Sequence, residues 1–229
     1  MRRRAAGRPV VAQSKLRDVV VRHSQRARGR PPIHDDAVLL QAAFKAFAEH
    51  GYESMSVRAV AEGLGLSHGA LNRRFGGKRE IFEAAITHGF EDMFAAMTAE
   101  QAARPEPTDD LAQLKEMIRS FMVVNAERPE FGQLMNMEGL HRTEQLDYIA
   151  KRSVAPFALA LSALLHRLGE AGVIHPIAAR SLFLLVAHGA EAPFTLTGLS
   201  SYFDDVDGPF DAETHIEQTV ALVMRGITR

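Results

Sequence analysis

The stretch VRAVAEGLGLSHGALNRRFGGK, residues 57–78, decides the fold of this chain. Its first half has apolar residues at helical spacing behind Ser56, a residue that can cap a helix. Gly65 ends that helix in a conformation that suits glycine. Ser67 can then cap a second helix of roughly residues 68–75. Two short helices joined by a tight glycine turn predict a helix-turn-helix.

The second of these helices has the composition of a recognition helix. Leu71 and Phe75 are four residues apart and can pack inward on one face. The remaining positions are left around the outside: His68, Gly69, Ala70, Asn72, Arg73 and Arg74. Small residues at the N-terminal end with arginines behind them suit the major groove, which admits a helix and offers acceptors to arginine.

A third helix is predicted just before this stretch, over residues 36–50. Its apolar positions form one stripe: Leu39, Leu40, Ala43, Phe44 and Phe47. His50, Gly51 and Tyr52 supply the stop signal. The sequence therefore predicts a three-helix unit near the N-terminal end of the chain.

At this point the chain resembles the TetR family of bacterial transcriptional regulators. The matching positions follow the order and spacing of that family: Leu39, Ala43, Phe47, Gly51, Tyr52, Met55, Ser56, Val57, Val60, Ala61, Gly65, Leu66, Ser67, Gly69, Leu71, Phe75, Lys78 and Ile81. One departure matters, because the family usually carries tyrosine where this chain has Asn72. The aromatic contact to the phosphate backbone is missing there, although Asn72 can donate a hydrogen bond and Arg73 and Arg74 can compensate.

The resemblance implies a set of DNA contacts. Arg58 occupies a position that can reach a base edge, and arginine to guanine is the commonest specific contact. The residues expected at base edges or the groove floor are His68, Gly69, Ala70 and Arg73. Those expected near phosphates are Ser56, Asn72, Arg74 and Lys78. The alternative for each arginine is an ordinary solvated surface charge, and for His68 the alternative is no contact.

Composition narrows the class of protein. Of the 229 residues, 46% are hydrophobic and 24% charged, as in a soluble globular protein. The chain has no cysteine, which excludes structural disulfides and thiolate chemistry and fits a reducing cytoplasm. The best candidate for a membrane span, residues 181–199, is interrupted by His188, Glu191 and Pro193, and therefore indicates a buried or interfacial helix.

The formal net charge of −1 conceals an asymmetry. The first 30 residues hold ten Lys or Arg and one Asp, whereas the rest of the chain holds 17 basic and 27 acidic residues. A basic arm, residues 1–33, can track phosphates or enter a minor groove. It can equally be a solvated, disordered tail or an extension from a misassigned start codon. Gly29, Arg30, Pro31 and Pro32 mark its boundary with the next domain.

After the helix-turn-helix domain, residues 34–80, the chain has long helical patterns and no strand signal. Residues 81–229 are interpreted as a larger helical domain for effector binding and dimerisation. The helix boundaries are predicted at these signals: Lys78, Arg104 to Pro107, Thr108 or Asp109, Pro129, Thr143, a kink at Pro156, Gly169 and Gly172, Pro176, and Asp211. The fold class is therefore all-α.

Candidate effector-binding residues follow from the resemblance. Phe94, Phe121, Asn125, Met135, His141 and His188 lie on helices that enclose the ligand in relatives, as do Phe90, Met93, Met137 and Tyr148. Methionine and phenylalanine at helical spacing are ordinarily plain core. His188 and Glu191 stand inside an otherwise apolar helix and need a partner, which can be a ligand, another subunit or a backbone carbonyl.

The last two helices, which begin at Pro176 and after Asp211, are the predicted dimer interface. The first of them is apolar nearly all round, so a second subunit is the simplest cover for it. The resemblance implies the same, because TetR-like regulators are homodimers joined through their C-terminal helices. A two-fold protein reads a palindrome with two recognition helices.

The sequence thus predicts a homodimeric repressor that binds a palindromic operator and is released by a small, apolar effector. The alternative is a DNA-bound regulator whose C-terminal domain recruits a protein partner and takes no ligand. No cofactor, metal or membrane partner is expected, and enzyme chemistry is disfavoured. Gly76 to Arg79 lacks the glycine and the hydroxyl residue of a phosphate loop, and the ten histidines have no metal-binding spacing.

Overall fold

The structure, a computed structural model, describes residues 35–67 and 69–229. The predictions made for residues 1–33 and for His68 lie outside these residues. Within them the regular structure is helical, apart from one isolated antiparallel bridge between Ile174 and Thr228. The all-α prediction is confirmed.

The helices are bounded as follows: α1 Asp36–Ser54, α2 Val57–Gly63, α3 Ala70–Phe75, α4 Lys78–Ala102, α5 Asp110–Glu127, α6 Glu130–Glu138, α7 Glu144–Ile149, α8 Ala155–Glu170, α9 Ala179–Leu184, α10 Ala192–Thr195, α11 Thr197–Ser200, α12 Asp204–Asp207 and α13 Ala212–Ile227. Two π-helical segments, Ala150–Val154 and Leu185–Ala190, continue α7 and α9, and a 3-10 turn, Ser201–Phe203, precedes α12.

The first three helices follow the predicted pattern with small changes. Ser56 caps α2, accepting a hydrogen bond from the amide of Ala59 at 3.3 Å. Gly65 has φ of +68°, the left-handed region that glycine tolerates. Gly51 leaves helical geometry with φ of +71°, although a last turn continues to Ser54. The helix-turn-helix is therefore built by local signals that the sequence displays.

The predicted cap at Ser67 is wrong. The residue at the N-terminus of α3 is Gly69, and α3 begins at Ala70 instead of residue 68. The Ser67 hydroxyl accepts a hydrogen bond from Arg73 Nη2 at 2.9 Å. An arginine one turn into the helix thus takes the oxygen that would otherwise cap it.

The later helices confirm most of the predicted boundaries. Asp109 caps α5 and Asp211 caps α13, each accepting an amide hydrogen bond of 2.8 Å from the residue three positions on. The predicted kink at Pro156 takes the form of the π-helical segment just before it, because proline has no amide hydrogen to donate to the preceding turn. The helix predicted from Pro176 begins at Ala179 instead, after the extended residue Ala178.

Two hydrophobic clusters make up the interior. The first contains residues of α1, α2, α3, α4 and α6 with Met55, Val124 and Ile149, and the second contains residues of α5, α8, α9, α10 and α13 with Ile174 and Val186. Phe121 and Phe157 pack against both clusters. The first cluster crosses the predicted domain boundary at residue 80, because Phe44 of α1 packs on Phe131 of α6 with ring centroids 4.7 Å apart. The division into residues 34–80 and 81–229 stays a prediction.

One helical stretch, Glu144–Glu170, is long and apolar enough to cross a membrane by length and composition alone, and it is not the predicted best candidate, residues 181–199. It includes Leu159, whose side chain is exposed in the isolated chain. Only 28% of its apolar window is buried.

Gly89 sets the spacing between α1 and α4, which yields a first prediction. A Cβ atom at this position would lie 2.6 and 2.7 Å from ring carbons of Phe44. We expect Gly89→Ala to lower the free energy of unfolding by about 1 to 3 kcal/mol, because Phe44 is fully buried and its ring would have to shift within the packed core. Urea denaturation measures this change.

Gly169→Ala is the matched control for that measurement. Gly169 also lies inside a helix, but nothing is within 4 Å of the added carbon. Alanine there should raise stability by up to about 1 kcal/mol through helix propensity alone. Equal effects of the two substitutions would contradict the tight α1–α4 contact.

Candidate DNA interface and ligand cavity

The outward face of α3 carries the polar residues expected of a recognition helix. Leu71 is fully buried beneath it, while Asn72, Arg73 and Arg74 are exposed. Gly69 and Ala70 are half-buried at its N-terminal end. The helix is held by its apolar side and presents an amide and two guanidinium groups outward. This arrangement can place hydrogen-bond donors in a groove.

Arg73 is positioned by two neighbours. Its Nη2 atom donates to Ser67 Oγ, and a Cβ on Gly69 would lie only 2.8 Å from its Nη1 atom. The guanidinium group therefore lies over Gly69, at the N-terminal end of the helix. That end of a recognition helix is the part that contacts base edges.

The other predicted DNA-binding cations have partners within the chain. Arg74 forms an ion pair with Asp36 and lies 5.9 Å from the Phe75 ring centroid. Lys78 Nζ donates to the carbonyl of Glu53 at 2.9 Å and lies 5.0 Å from the Tyr52 ring centroid. Both side chains thus also fasten the motif to α1, and their phosphate contacts stay predictions.

Two more of these residues lie on or next to α2. Arg58 is exposed and pairs with Glu62 across one helical turn, Nε to Oε1 at 3.0 Å. Ser56 is exposed and uses its hydroxyl as the cap of α2. The site of His68 lies outside the described residues.

A cavity of about 50 Å³ lies where the two hydrophobic clusters meet. It is lined by α4, α5, α6, both π-helical segments, Phe157 of α8 and Phe183 of α9. Five of the six predicted ligand residues line it: Phe94, Phe121, Asn125, Met135 and His188. Phe90, Met93 and Glu191, which the sequence also suggested, line it as well. Their ligand role stays a prediction.

His141 does not reach the cavity. It is exposed in the turn after α6, because that helix ends at Glu138. Met137 is about half exposed, and the Tyr148 hydroxyl is 2.9 Å from the Thr87 hydroxyl. The placement of these three side chains depends on where α6 ends and how α7 packs, which helical spacing alone does not give.

Several lining residues were missed by sequence reasoning: Phe131, Gly132, Ser153, Val154, Phe157, Phe183 and Ala187. Most of them are apolar residues at ordinary helical spacing, so nothing in the sequence distinguishes them from core. Phe131 is the informative one, since it lines the cavity and also packs on Phe44 of α1. It connects the cavity to the helix-turn-helix.

The polar groups of the cavity differ in how well they are satisfied. Asn125 Nδ2 donates to the Phe121 carbonyl at 2.8 Å, and His188 Nδ1 lies 2.9 Å from Asn136 Oδ1. Glu191 is only 2% exposed, and its Oε1 atom has no hydrogen-bond partner among the described residues. This burial raises the pKa of Glu191 to about 9. Glu191 therefore carries a neutral carboxylic acid at neutral pH.

α1 and the two short helices α2 and α3 define a helix-turn-helix protein, and further helices follow them in the chain. Two family profiles match the chain: "Bacterial regulatory proteins, tetR family" over residues 39–85 and "Tetracyclin repressor-like, C-terminal domain" over residues 111–223. Together they cover more than half of the chain. The chain belongs to the TetR family.

Individual relatives resemble parts or all of the chain. The HTH-type transcriptional repressor AcnR of Corynebacterium efficiens is 34% identical over 96 residues, which are 42% of this chain and 45% of that protein. The chain thus matches less than half the length of this relative.

Among solved structures, the ketosteroid transcriptional regulator KstR2 of Mycobacterium tuberculosis is 20% identical, with a TM-score of 0.60 over 88% of this chain and 100% of its own. The regulator PfmR of Thermus thermophilus is 25% identical, with a TM-score of 0.55 over 84% of this chain and 96% of its own. The likeness to KstR2 concerns the fold alone.

Proposed function

We propose that this chain is a homodimeric transcriptional repressor that binds a palindromic operator through α3 and is released by a small effector bound in the cavity. The observation that carries the proposal is the position of Phe131, whose ring lies between the cavity and the buried Phe44 of α1. A ligand that displaces Phe131 must also disturb the packing of the helix-turn-helix.

The cavity wall has further links to α1 through α6. Tyr52 donates its amide hydrogen to Glu138 Oε1 at 2.9 Å, and Gln41 Nε2 donates to Glu130 Oε1 at 3.2 Å. Both acceptors belong to the helix that also contributes Met135 to the cavity. A shift of α6 would therefore move α1, and α4 would carry the change to the spacing of the two recognition helices. The effector acts by preferring the conformer that no longer matches the operator.

Dimerisation through the C-terminal helices is supported by exposed apolar side chains. Leu184 and Leu185, on α9 and the π-helical segment after it, and Leu222 on α13 are all about half exposed or more in the isolated chain. Exposed apolar area of this kind marks an interaction surface. A cytoplasmic location follows for a protein that reads chromosomal DNA in a bacterium.

A second candidate is a DNA-bound regulator that recruits a protein partner and takes no ligand. It is favoured by four exposed apolar residues after α10: Leu199, Tyr202, Phe203 and Val206. Leu199 and Phe203 line a surface groove of about 740 Å³, larger than the internal cavity. The cavity is the better effector site because its walls are apolar and contain a buried acid.

Fluorescence anisotropy with the purified chain tests the proposed function. The labelled DNA is the flank of its own gene, with a scrambled duplex of the same composition as control, at two salt concentrations. We expect binding to the flank to be at least roughly 1,000-fold tighter than to the scramble. Equal binding to both duplexes with the same steep salt dependence would show that only phosphates are read, and would overturn the repressor proposal for this flank.

A further inference from the structure

We propose that the cavity recognises a lipophilic organic amine, whose ammonium group pairs with the Glu191 carboxylate while its apolar body lies among phenylalanine rings. This inference rests on the proposed effector site and names the chemical class of its ligand. It is carried by the buried acid, the surrounding rings and the absence of a cation in the wall.

The buried acid favours a ligand with a hydrogen-bond donor or a positive charge. Glu191 lies between the π-helical segment after α9 and helix α10, just before Pro193, and it is a buried residue of the cavity lining. A buried polar atom without a partner is rare and costs free energy. A ligand group that donates hydrogen bonds or carries positive charge would remove that cost. A carboxylate ligand would instead add a second acid beside the first.

The aromatic rings of the wall favour an organic cation. Six phenylalanines line the cavity: Phe90, Phe94, Phe121, Phe131, Phe157 and Phe183. Their faces carry partial negative charge and attract an organic cation within about 6 Å of a ring centroid. Among the described lining residues none is lysine or arginine, so this part of the wall holds no permanent positive charge to pair with Glu191.

A neighbouring cavity offers room for an elongated apolar body. A second cavity of about 20 Å³ shares Phe121, Phe157 and Phe183 with the first. These three rings lie with centroids 6.0 to 6.4 Å apart and separate the two spaces. Rotation of the rings would join the cavities and extend the site away from Glu191, into a region lined by aliphatic side chains such as Leu161 and Leu182.

The cavity must enlarge to hold such a ligand, since small-molecule sites usually measure about 300 Å³ or more. The wall contains flexible side chains and irregular helical segments that allow this enlargement. Met93 and Met135 are unbranched and adapt their shape readily. Ser153 and His188 belong to the two π-helical segments, which are irregularities found frequently at functional sites.

Isothermal titration calorimetry of the full chain with three probes tests this inference. Phenylbutylamine, phenylbutanol and phenylbutyrate share one apolar body and differ in the charge of the head group. We expect the amine to bind at least about tenfold more tightly than the alcohol, and the carboxylate to bind more weakly than either. In Glu191→Gln the affinity for the amine should fall to that for the alcohol, with the alcohol itself unchanged.

Proton release gives a second readout. Glu191 is neutral before binding and ionised beside the ammonium group, so about one proton leaves for the buffer at pH 7 for each amine bound. Titration in two buffers of different ionisation enthalpy measures it, and Glu191→Gln should release none. His188 is the other titratable group in the wall, and it is present in both proteins. Glu213→Gln, an exposed acid on α13, is the matched control and should behave as the parent chain.

The outcomes separate the ligand class from the regulatory function. No binding of the amine at millimolar concentration, tighter binding of the carboxylate, or unchanged amine affinity in Glu191→Gln each overturns the inference. Amine binding that depends on Glu191 but does not release operator DNA in the anisotropy assay supports the ligand class and overturns the proposed effector function. Specific operator binding without any amine binding would support the repressor function and overturn the ligand class.

Discussion

Arg73→Ala is expected to weaken binding to the operator by roughly 100-fold or more, with the dimer intact. A good arginine–guanine contact contributes about 1 to 3 kcal/mol, and a two-fold protein loses one such contact in each half-site. Arg73 is suited to this role because Ser67 and Gly69 hold its guanidinium group at the N-terminal end of α3. Little side-chain freedom then remains to be lost on binding.

The measurement is anisotropy on operator and scrambled DNA, together with sedimentation of the free protein. Arg73→Lys keeps the positive charge but cannot make the forked contact with guanine. It should therefore bind the scrambled duplex as tightly as the parent chain does, but bind the operator more weakly. Arg142→Ala removes an exposed arginine that pairs with Asp147 on α7, and serves as the matched control. A loss of equal size on both duplexes would identify Arg73 as a phosphate contact, and unchanged affinity would remove it from the interface.

The features that could be predicted from sequence are those decided within one helical turn. Ser56, Asp109 and Asp211 each accept a hydrogen bond from an amide three residues on, which involves no distant part of the chain. Gly65 depends only on its own φ angle. The stripe in α1 was predictable for a similar reason, since helical spacing alone places Phe44 and Phe47 on one side.

What escaped prediction depends on residues far apart in the chain. The ion pair of Arg74 with Asp36 joins α3 to α1, and no spacing rule connects those positions. Ser67 has the residue type of a cap, but it lost that role to a hydrogen bond with Arg73. Tertiary competition of this kind overrides local preference and is invisible in the sequence.

The ligand cavity shows the same division. His188 and Glu191 were both identifiable as polar residues within an apolar run. The sequence could not show that the first is satisfied by Asn136, 52 residues away, while the second has a carboxyl oxygen that forms no hydrogen bond with any described residue. His141 could not be excluded either, because its exposure depends on the end of α6.

Glu191 also makes the stability of the fold depend on pH. Burial raises its pKa from an ordinary 4.5 to about 9, so between these values the folded chain holds a proton that the unfolded chain releases. The free energy of unfolding must then fall as pH rises, by at most about 1.4 kcal/mol per pH unit from this group. The contribution is fully present below the unfolded pKa and is lost as pH rises through the folded one.

Glu191→Gln is expected to remove this slope, because glutamine has nearly the same shape and no proton to release. The stability of the variant relative to the parent should rise by roughly 2 to 3 kcal/mol between about pH 5.5 and about pH 7.5. Urea denaturation at several pH values measures it. His188, which also lines the cavity, and His215, whose Nε2 lies 2.7 Å from the Ala190 carbonyl, are present in both proteins and therefore do not distinguish the two profiles.

Glu213→Gln removes an exposed acid from α13 and should leave the pH dependence unchanged. Parallel pH profiles of the parent chain and Glu191→Gln would show that Glu191 ionises normally in the folded protein. The cavity would then contain a solvated carboxylate, with no penalty for a cationic ligand to relieve. A divergence that grows with pH would instead show that the fold maintains a neutral acid at its centre at a cost in stability, as expected of a group retained for binding.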